Sequence, residues 1–474
     1  MDLPDLIEIV PLDKPVRAEI TVPGSKSITN RALILAALAD GEVTLEGALW
    51  SEDTQIMVEC LQELGFMVNV APDPNEICNR TITVYGQGGK VPGGGTAENP
   101  LELFVGNAGT AARFLAAFVC LGKGVYRLHG VPRMHERPQA ALFQALRELG
   151  YRVDTPNDKL PAVIYGRDAV SASQISSPKI GDGGTPSLPR KCRVSIEESS
   201  QFASALLLCA KTGGWKIEVV GENAEESPYV AMTSKMIEAF PHRGGKFQIE
   251  PDASSGSYFW AAGWLQTEAQ MKKFLLLALK ARKTNVLPKW MQEPSGIEIK
   301  NWPRSGWQLD ADFIIYVKLW SNAIPAEISR NTDLADSIMT AIVLAPLNDN
   351  NCRFVKFTYL GRLRVQECER VVALRTELTK CGAKVVEDGD TLTVYPSELH
   401  GAEIETYHDH RMAMCFAILG LKVPGIKIKN PACVKKTFPN FFQKLAAPAP
   451  KGLGATILDA RTGRKLKEED LFAE

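Results

Sequence analysis

The chain has almost no net charge, with 54 lysines and arginines against 55 aspartates and glutamates. That balance excludes a basic nucleic-acid-binding surface and a global field that steers charged ligands. Any anionic ligand has to be held by local clusters. No run of apolar residues approaches the length of a membrane span. The start, Met1-Asp2-Leu3-Pro4-Asp5, is acidic and lacks the apolar core of a secretion signal. The ten cysteines are scattered, mostly inside apolar runs, and none forms a C-x-x-C pair. They read as reduced core residues, and the protein is expected to be cytoplasmic. Tyr407-His408-Asp409-His410 lacks the second ligand cluster that a metal site needs. Gly86 to Gly95 is rich in glycine but does not end in the G-K-[S/T] of a phosphate-binding loop.

At 474 residues the chain is too long for one core, so two domains are expected. Internal repetition organises it. Helices rich in Ala, Leu and Met are expected to begin near Ser27, Gly109, Ser199, Ser254, Leu334 and Asp409. Most are trailed by a short extended apolar segment. A second motif recurs at Leu61–Val68, Leu146–Val153 and Leu378–Val386, where a helix is closed by glycine and two alternating strands follow. The unit reads as β-α-β-α-β-β. The predicted division is residues 21–250 for one three-unit domain, and 1–20 with 251–445 for a second. Residues 446–474 read as a Pro/Ala/Gly linker and a charged, mobile tail. Leu265 to Arg330, with Trp290, Trp302, Trp307 and Trp320, fits the repeat worst.

Polar clusters sit at the helix starts. In Val22-Pro23-Gly24-Ser25-Lys26-Ser27-Ile28-Thr29-Asn30-Arg31, a strand-like run stops at Pro-Gly and an Ala/Leu-rich helix begins. Ser25, Ser27 and Thr29 are placed to cap it. Lys26 and Arg31 are harder to explain, because cations at a helix N-terminus oppose the macrodipole. The two readings are a capped surface helix with snorkelling side chains, or an anion held among N–H groups, hydroxyls and cations. Similar clusters occur at Asn107-Ala108-Gly109-Thr110 with Arg113, at Arg133 to Pro138, and at Ser199-Ser200-Gln201. Further along, Asp336 is followed by Arg364 to Arg370, then by Asp409-His410-Arg411 and Lys435-Lys436. So many leads suggest one cleft lined by anion-binding helix ends, for substrates carrying phosphate and carboxylate groups.

The motifs P-G-S-K-S-I-T-N-R, G-N-A-G-T-A-A-R, R-M-H-E-R-P, S-S-Q-F, D-A-S-S-G-S-Y, R-V-Q-E-C-E-R, D-H-R-M-A-M-C-F and K-T-F-P occur in this order. The chain from Ile20 to Phe442 thereby resembles the 5-enolpyruvylshikimate-3-phosphate (EPSP) synthase family. The resemblance implies an inside-out α/β barrel of two three-unit domains that close over their substrates. It implies transfer of the enolpyruvyl group of phosphoenolpyruvate to the 5-hydroxyl of shikimate 3-phosphate, without metal or cofactor. The partners would be those two small molecules, with no nucleic acid and no membrane, and a monomer is expected.

Through the same resemblance, Lys26, Asn107, Gly109, Thr110, Arg137, Gln201, Arg370, Arg411 and Lys436 would hold phosphoenolpyruvate. Lys26, Ser27, Arg31, Ser199, Ser200, Gln201, Tyr229, Asp336, Arg362 and Gln366 would hold shikimate 3-phosphate. Asp336 is the candidate base for the attacking hydroxyl, and Glu367 and Lys26 are the candidates for delivering a proton to the methylene carbon. Three positions depart from the family pattern. Gln366 replaces the lysine of R-V-K-E, which contacts the acceptor phosphate. Glu226 replaces the serine of S-x-P-Y, a role that Ser227 can take. Phe114 replaces a proline after the G-N-A-G-T helix start. Arg362 or Arg364 would restore the lost charge. The competing readings are a related enolpyruvyl transferase with another acceptor, such as a nucleotide sugar, and a binding homologue without turnover.

Overall fold

The computed structural model describes residues 3–167, 191–221, 227–280, 296–320, 326–348 and 353–473. Glu226 and Trp290 lie outside the described residues. The chain divides into two compact units, one of Gly24–Ile249 and one of Met1–Pro23 with Glu250–Glu474. Each is mixed α/β.

Among the described residues, four four-stranded sheets share one plan. In each, the first two strands pair parallel and the next two contacts are antiparallel. In the first unit, one sheet runs Gly245–Gln248, Asp40–Leu49, Asn79–Gln87, Val68–Pro72. A second runs Leu101–Phe104, Val125–His129, Ala162–Tyr165, Val153–Asp154. In the other unit, Glu327–Ser329, Val355–Thr358, Thr391–Val394 and Val385–Asp388 follow the same order. The last sheet, Glu403–Ile404, Ile426–Lys429, Leu6–Ile9, Ile457–Asp459, is completed by strands from near both chain ends. Because parallel neighbours need a crossover, a helix lies between the parallel strands in sequence, as Gly109–Phe118 does between Leu101–Phe104 and Val125–His129.

The recurring glycine stops are built alike. Gly65, Gly150 and Gly382 have φ of 86°, 88° and 92°, a region that suits glycine. After each, an amide reaches back over the last turn: Phe66 to Leu61, Tyr151 to Leu146 and Ala383 to Leu378, all at 3.0 Å. These are Schellman closures, and they turn the chain into the following hairpin.

Two helices that carry predicted site residues are buried along most of their length. In Lys26–Leu38 every residue from Ile28 to Ala37 is buried. Gly109–Phe118 is buried along its whole length.

Two expectations need correction. The strand-like run that stops at Pro23-Gly24 forms a ladder only over Ala18–Ile20, paired with Ile297–Ile299. The tail is not a loose end. Ile457–Asp459 pairs with Leu6–Ile9, and Leu453, Leu466, Leu471 and Ala473 are buried. Its charged residues hide an apolar spacing, and the backbone is tied down through Leu466 to Ile457 and Ala473 to Pro439. Burial of those side chains outweighs the ordering entropy of the segment.

Candidate active site

In the unit Gly24–Ile249, Lys26 is the first residue of its helix and its ammonium lies 2.9 Å from the carboxylate of Asp53. Asp53 is buried at the second position of the helix Glu52–Glu63, where the positive helix end also favours an anion. A protein carboxylate thus occupies the place where the sequence called for an anion. Ser25 is the cap residue by backbone position, but its hydroxyl makes no capping bond, and Thr29 Oγ1 instead accepts from Leu49 N–H at 3.2 Å.

Arg31 is 2% exposed and is bonded inward. It donates to Thr233 Oγ1 at 2.7 Å, to Ser204 Oγ at 3.0 Å and to the carbonyl of Ser27 at 2.8 Å. Its guanidinium lies over the rings of Phe114 and Tyr229, with centroids 5.2 and 5.9 Å away. Burial lowers its pKa to about 10. Arg31 therefore ties together the helices that carry Ser27, Ser204 and Tyr229, and Phe114 packs on it.

A second group gathers around Gly109, the first residue of the helix Gly109–Phe118. A Cβ at that position would lie 2.3 Å from Arg113 Nη1 and 2.7 Å from Arg137 Nη2, so a side chain there would push both guanidinium groups off this helix end. Arg137 also donates to the Asn107 carbonyl at 3.2 Å, while its Nε is buried without a hydrogen-bond partner. Gln201 Nε2 donates to Thr110 Oγ1 at 3.1 Å, and Ser199 caps the helix Ser200–Gly213 by accepting from Gln201 N–H at 3.2 Å. The structure thus brings Asn107, Gly109, Thr110, Arg137, Ser199, Ser200 and Gln201 to neighbouring helix starts. Ser227, at the cap position of the helix Pro228–Ala239, has a buried hydroxyl with no hydrogen-bond partner.

In the other unit, carboxylates bridge cations in pairs. Asp336 accepts from Arg330 Nη2 at 2.9 Å and lies 3.1 Å from Arg411 Nη2. Glu367 lies 2.8 Å from Arg370 Nη2 and 3.1 Å from Lys436 Nζ. Arg370 is 1% exposed and meets Asp409 through Nε at 2.6 Å and Nη2 at 3.2 Å. Its Nη1 donates to Gln366 Oε1. Asp409 in turn caps the helix His410–Gly420 by accepting from Arg411 N–H at 2.8 Å. One buried carboxylate thereby fixes both Arg370 and the backbone carrying Arg411.

Three of these partners have no signal in the sequence. Arg330 and Asp310 come from the segment that fits the repeat worst, and Asp53 follows Glu52 in an ordinary acidic helix start. Asp310 is buried and accepts from Asp336 N–H at 3.2 Å and from the Ser337 N–H and hydroxyl at 3.1 and 2.6 Å, anchoring the start of the helix that follows Asp336. Arg364 is engaged with Glu369, Glu387 and Asp390 at 2.6, 2.8 and 3.0 Å, which corrects its standing as a substitute phosphate ligand. Arg362 sits half-buried on the same 3-10 turn, Gly361–Val365. Among the described residues, no group of three His, Cys, Asp or Glu side chains is placed to hold a metal ion.

Burial pushes the Asp336 carboxyl up, but Arg411, Arg330 and Arg370 together outweigh it and hold the group well below the usual carboxylate range. A folded-state value below the unfolded one, about 3.9, stabilises the protein fully above that value. The contribution is lost as pH falls toward the folded value. Asp336→Asn removes the carboxylate charge that Arg330 and Arg411 share, so it is expected to be the less stable form at pH 7. The gap to wild type should close between about pH 5 and 2. Urea unfolding across that range checks this; parallel stability curves would count against it.

Both α/β units place cations at helix starts, an arrangement suited to anionic ligands. The family model for EPSP synthase (3-phosphoshikimate 1-carboxyvinyltransferase) matches residues 11–243 and 241–445. A 3-phosphoshikimate 1-carboxyvinyltransferase from Trichormus variabilis is 35% identical, over 93% of this chain and 98% of its own. One from Opitutus terrae is 36% identical, over 96% of this chain and 100% of its own. The solved EPSP synthase of Acinetobacter baumannii superposes with a TM-score of 0.63 at 19% identity, covering 95% of this chain and 99% of its own. The enolpyruvyl transferase NikO from Streptomyces tendae reaches 0.59 at 15% identity, covering 98% and 99%. The chain belongs to the EPSP synthase family.

Proposed function

We propose that the chain transfers the enolpyruvyl group of phosphoenolpyruvate to the 5-hydroxyl of shikimate 3-phosphate and releases phosphate, and that each unit is an inside-out α/β barrel. The observation that carries the chemistry is the pair of bridged carboxylates, Asp336 between Arg330 and Arg411 and Glu367 between Arg370 and Lys436. The reaction adds the hydroxyl oxygen to C2 of phosphoenolpyruvate and a proton to its methylene carbon. Phosphate then leaves and a proton is lost from the same methyl group. A base and an acid are therefore both needed.

In the structure Asp336 is a poor base, because its cations hold it ionised. A substrate carboxylate or phosphate binding Arg411 would draw that cation off and raise the basicity of Asp336 where the hydroxyl arrives. Glu367 and Lys26 remain the candidates for proton delivery. Phosphoenolpyruvate is assigned to Lys26, Asn107, Gly109, Thr110, Arg137, Gln201, Arg370, Arg411 and Lys436. Shikimate 3-phosphate is assigned to Lys26, Ser27, Ser199, Ser200, Gln201, Tyr229, Asp336, Arg362 and Gln366, with Arg31 holding these helices from behind. Gln366 presents its carbonyl to Arg370, which leaves its amide N–H groups for the acceptor phosphate.

The deciding experiment is phosphate release from phosphoenolpyruvate with shikimate 3-phosphate and, in parallel, with a UDP-sugar. Release only with the sugar would replace the acceptor; release with neither would make this a binding homologue. Arg362→Ala should raise the KM for shikimate 3-phosphate by about 10- to 100-fold, the loss of one charge-assisted phosphate contact, while the KM for phosphoenolpyruvate moves by less than about threefold. Equal changes in both constants would remove Arg362 from the acceptor subsite.

A further inference from the structure

We propose that Asp53 is a positioning residue for Lys26, and so for the reaction assigned above, on which this inference rests. Nothing in the sequence around Asp53 marks it. Its neighbour Glu52 is exposed and serves the same helix end, the ordinary place for an acid. Asp53 differs in being 3% exposed and in having its Oδ2 2.9 Å from the Lys26 ammonium.

Two helix starts, Lys26–Leu38 and Glu52–Glu63, are thereby joined through one ion pair. Each half has a reason to need the other. Lys26 at the first position of its helix faces the positive end of that helix, and a lysine side chain has four rotatable bonds with which to turn away into water. A buried carboxylate cancels that repulsion and selects one direction for the chain. The ammonium has three N–H donors; Asp53 takes one, and two are left among the described residues for a substrate oxygen. Asp53 therefore aims Lys26 and does not block it.

An aimed group matters most when its geometry must match the transition state. Loss of the aim then lowers kcat with little change in KM. Asp53→Asn keeps shape and loses charge. It is expected to reduce kcat by about 10- to 100-fold, the scale set by a misplacement of about 1 Å, with the KM for phosphoenolpyruvate within about threefold of wild type. Asp53→Glu, which keeps the carboxylate but shifts it by a methylene, should fall between. Glu52→Gln removes the same charge from the same helix end without touching Lys26, and should turn over at the wild-type rate.

Steady-state kinetics on the full chain, with unfolding curves for each variant, tests this. An unchanged kcat in Asp53→Asn, or equal loss in Glu52→Gln, would show that Asp53 merely serves its own helix. Should Asp53→Asn not fold, Asp53→Glu is read instead, and a wild-type kcat there overturns the proposal. A wild type without turnover would be a failure of the assigned reaction, distinguishable from a wild type that turns over and is indifferent to position 53.

Discussion

Lys26→Met is expected to bring phosphate release below a few per cent of wild type in a protein that still folds. The cation stands at the start of a buried helix, opposes that helix's dipole, and is held by a carboxylate. Methionine has similar length and no charge. The helix itself would gain slightly from losing a cation at its N-terminus, by a few tenths of a kcal/mol. Asp53, however, would be left buried without its partner, at a cost of about 1–3 kcal/mol. A moderate fall in the unfolding midpoint is thus expected alongside the loss of turnover. Far-UV circular dichroism with kinetics at a temperature where both proteins are folded separates the two. Activity above a few per cent in the folded variant would take Lys26 out of the chemistry.

The same residue shows what a sequence reveals. A lysine at a helix start is legible because it contradicts a local rule, and the contradiction pointed to an anion. Which anion was not legible. Asp53 is brought to Lys26 by the packing of two helices, and no local rule at Asp53 is broken. Gly65, Gly150 and Gly382 were legible for the opposite reason, because Schellman closure is a local event with a fixed wording. Arg330 and Asp310 escaped because they work by tertiary contact from a stretch whose periodicity is blurred. The tail misled through composition. Its lysines and glutamates suggested solvent, whereas Ile457, Leu466 and Leu471 lie buried in its unit and a ladder partner waits in Leu6–Ile9.

Arg370→Leu is expected to have the largest effect on both stability and turnover. Its guanidinium is 1% exposed and is shared between Asp409, Glu367 and Gln366, with Asp409 itself fully buried. Removing one partner of a buried pair leaves an uncompensated charge and costs about 3–5 kcal/mol. For a unit of this size that corresponds to a fall of roughly 6–20 °C in the unfolding midpoint. The double variant Arg370→Leu/Asp409→Asn discriminates between charge and packing. Its amide still supplies an oxygen to cap the helix at Arg411 N–H, while the stranded carboxylate is gone, so at least about 1 kcal/mol should return. Turnover should not return with it, because the group assigned to phosphoenolpyruvate is still missing. If the double variant is no more stable than Arg370→Leu, the destabilisation comes from lost packing around the guanidinium, not from a stranded charge. If it regains activity, Arg370 serves Asp409 and the helix start alone, and the anion it was assigned belongs to Arg411 and Lys436.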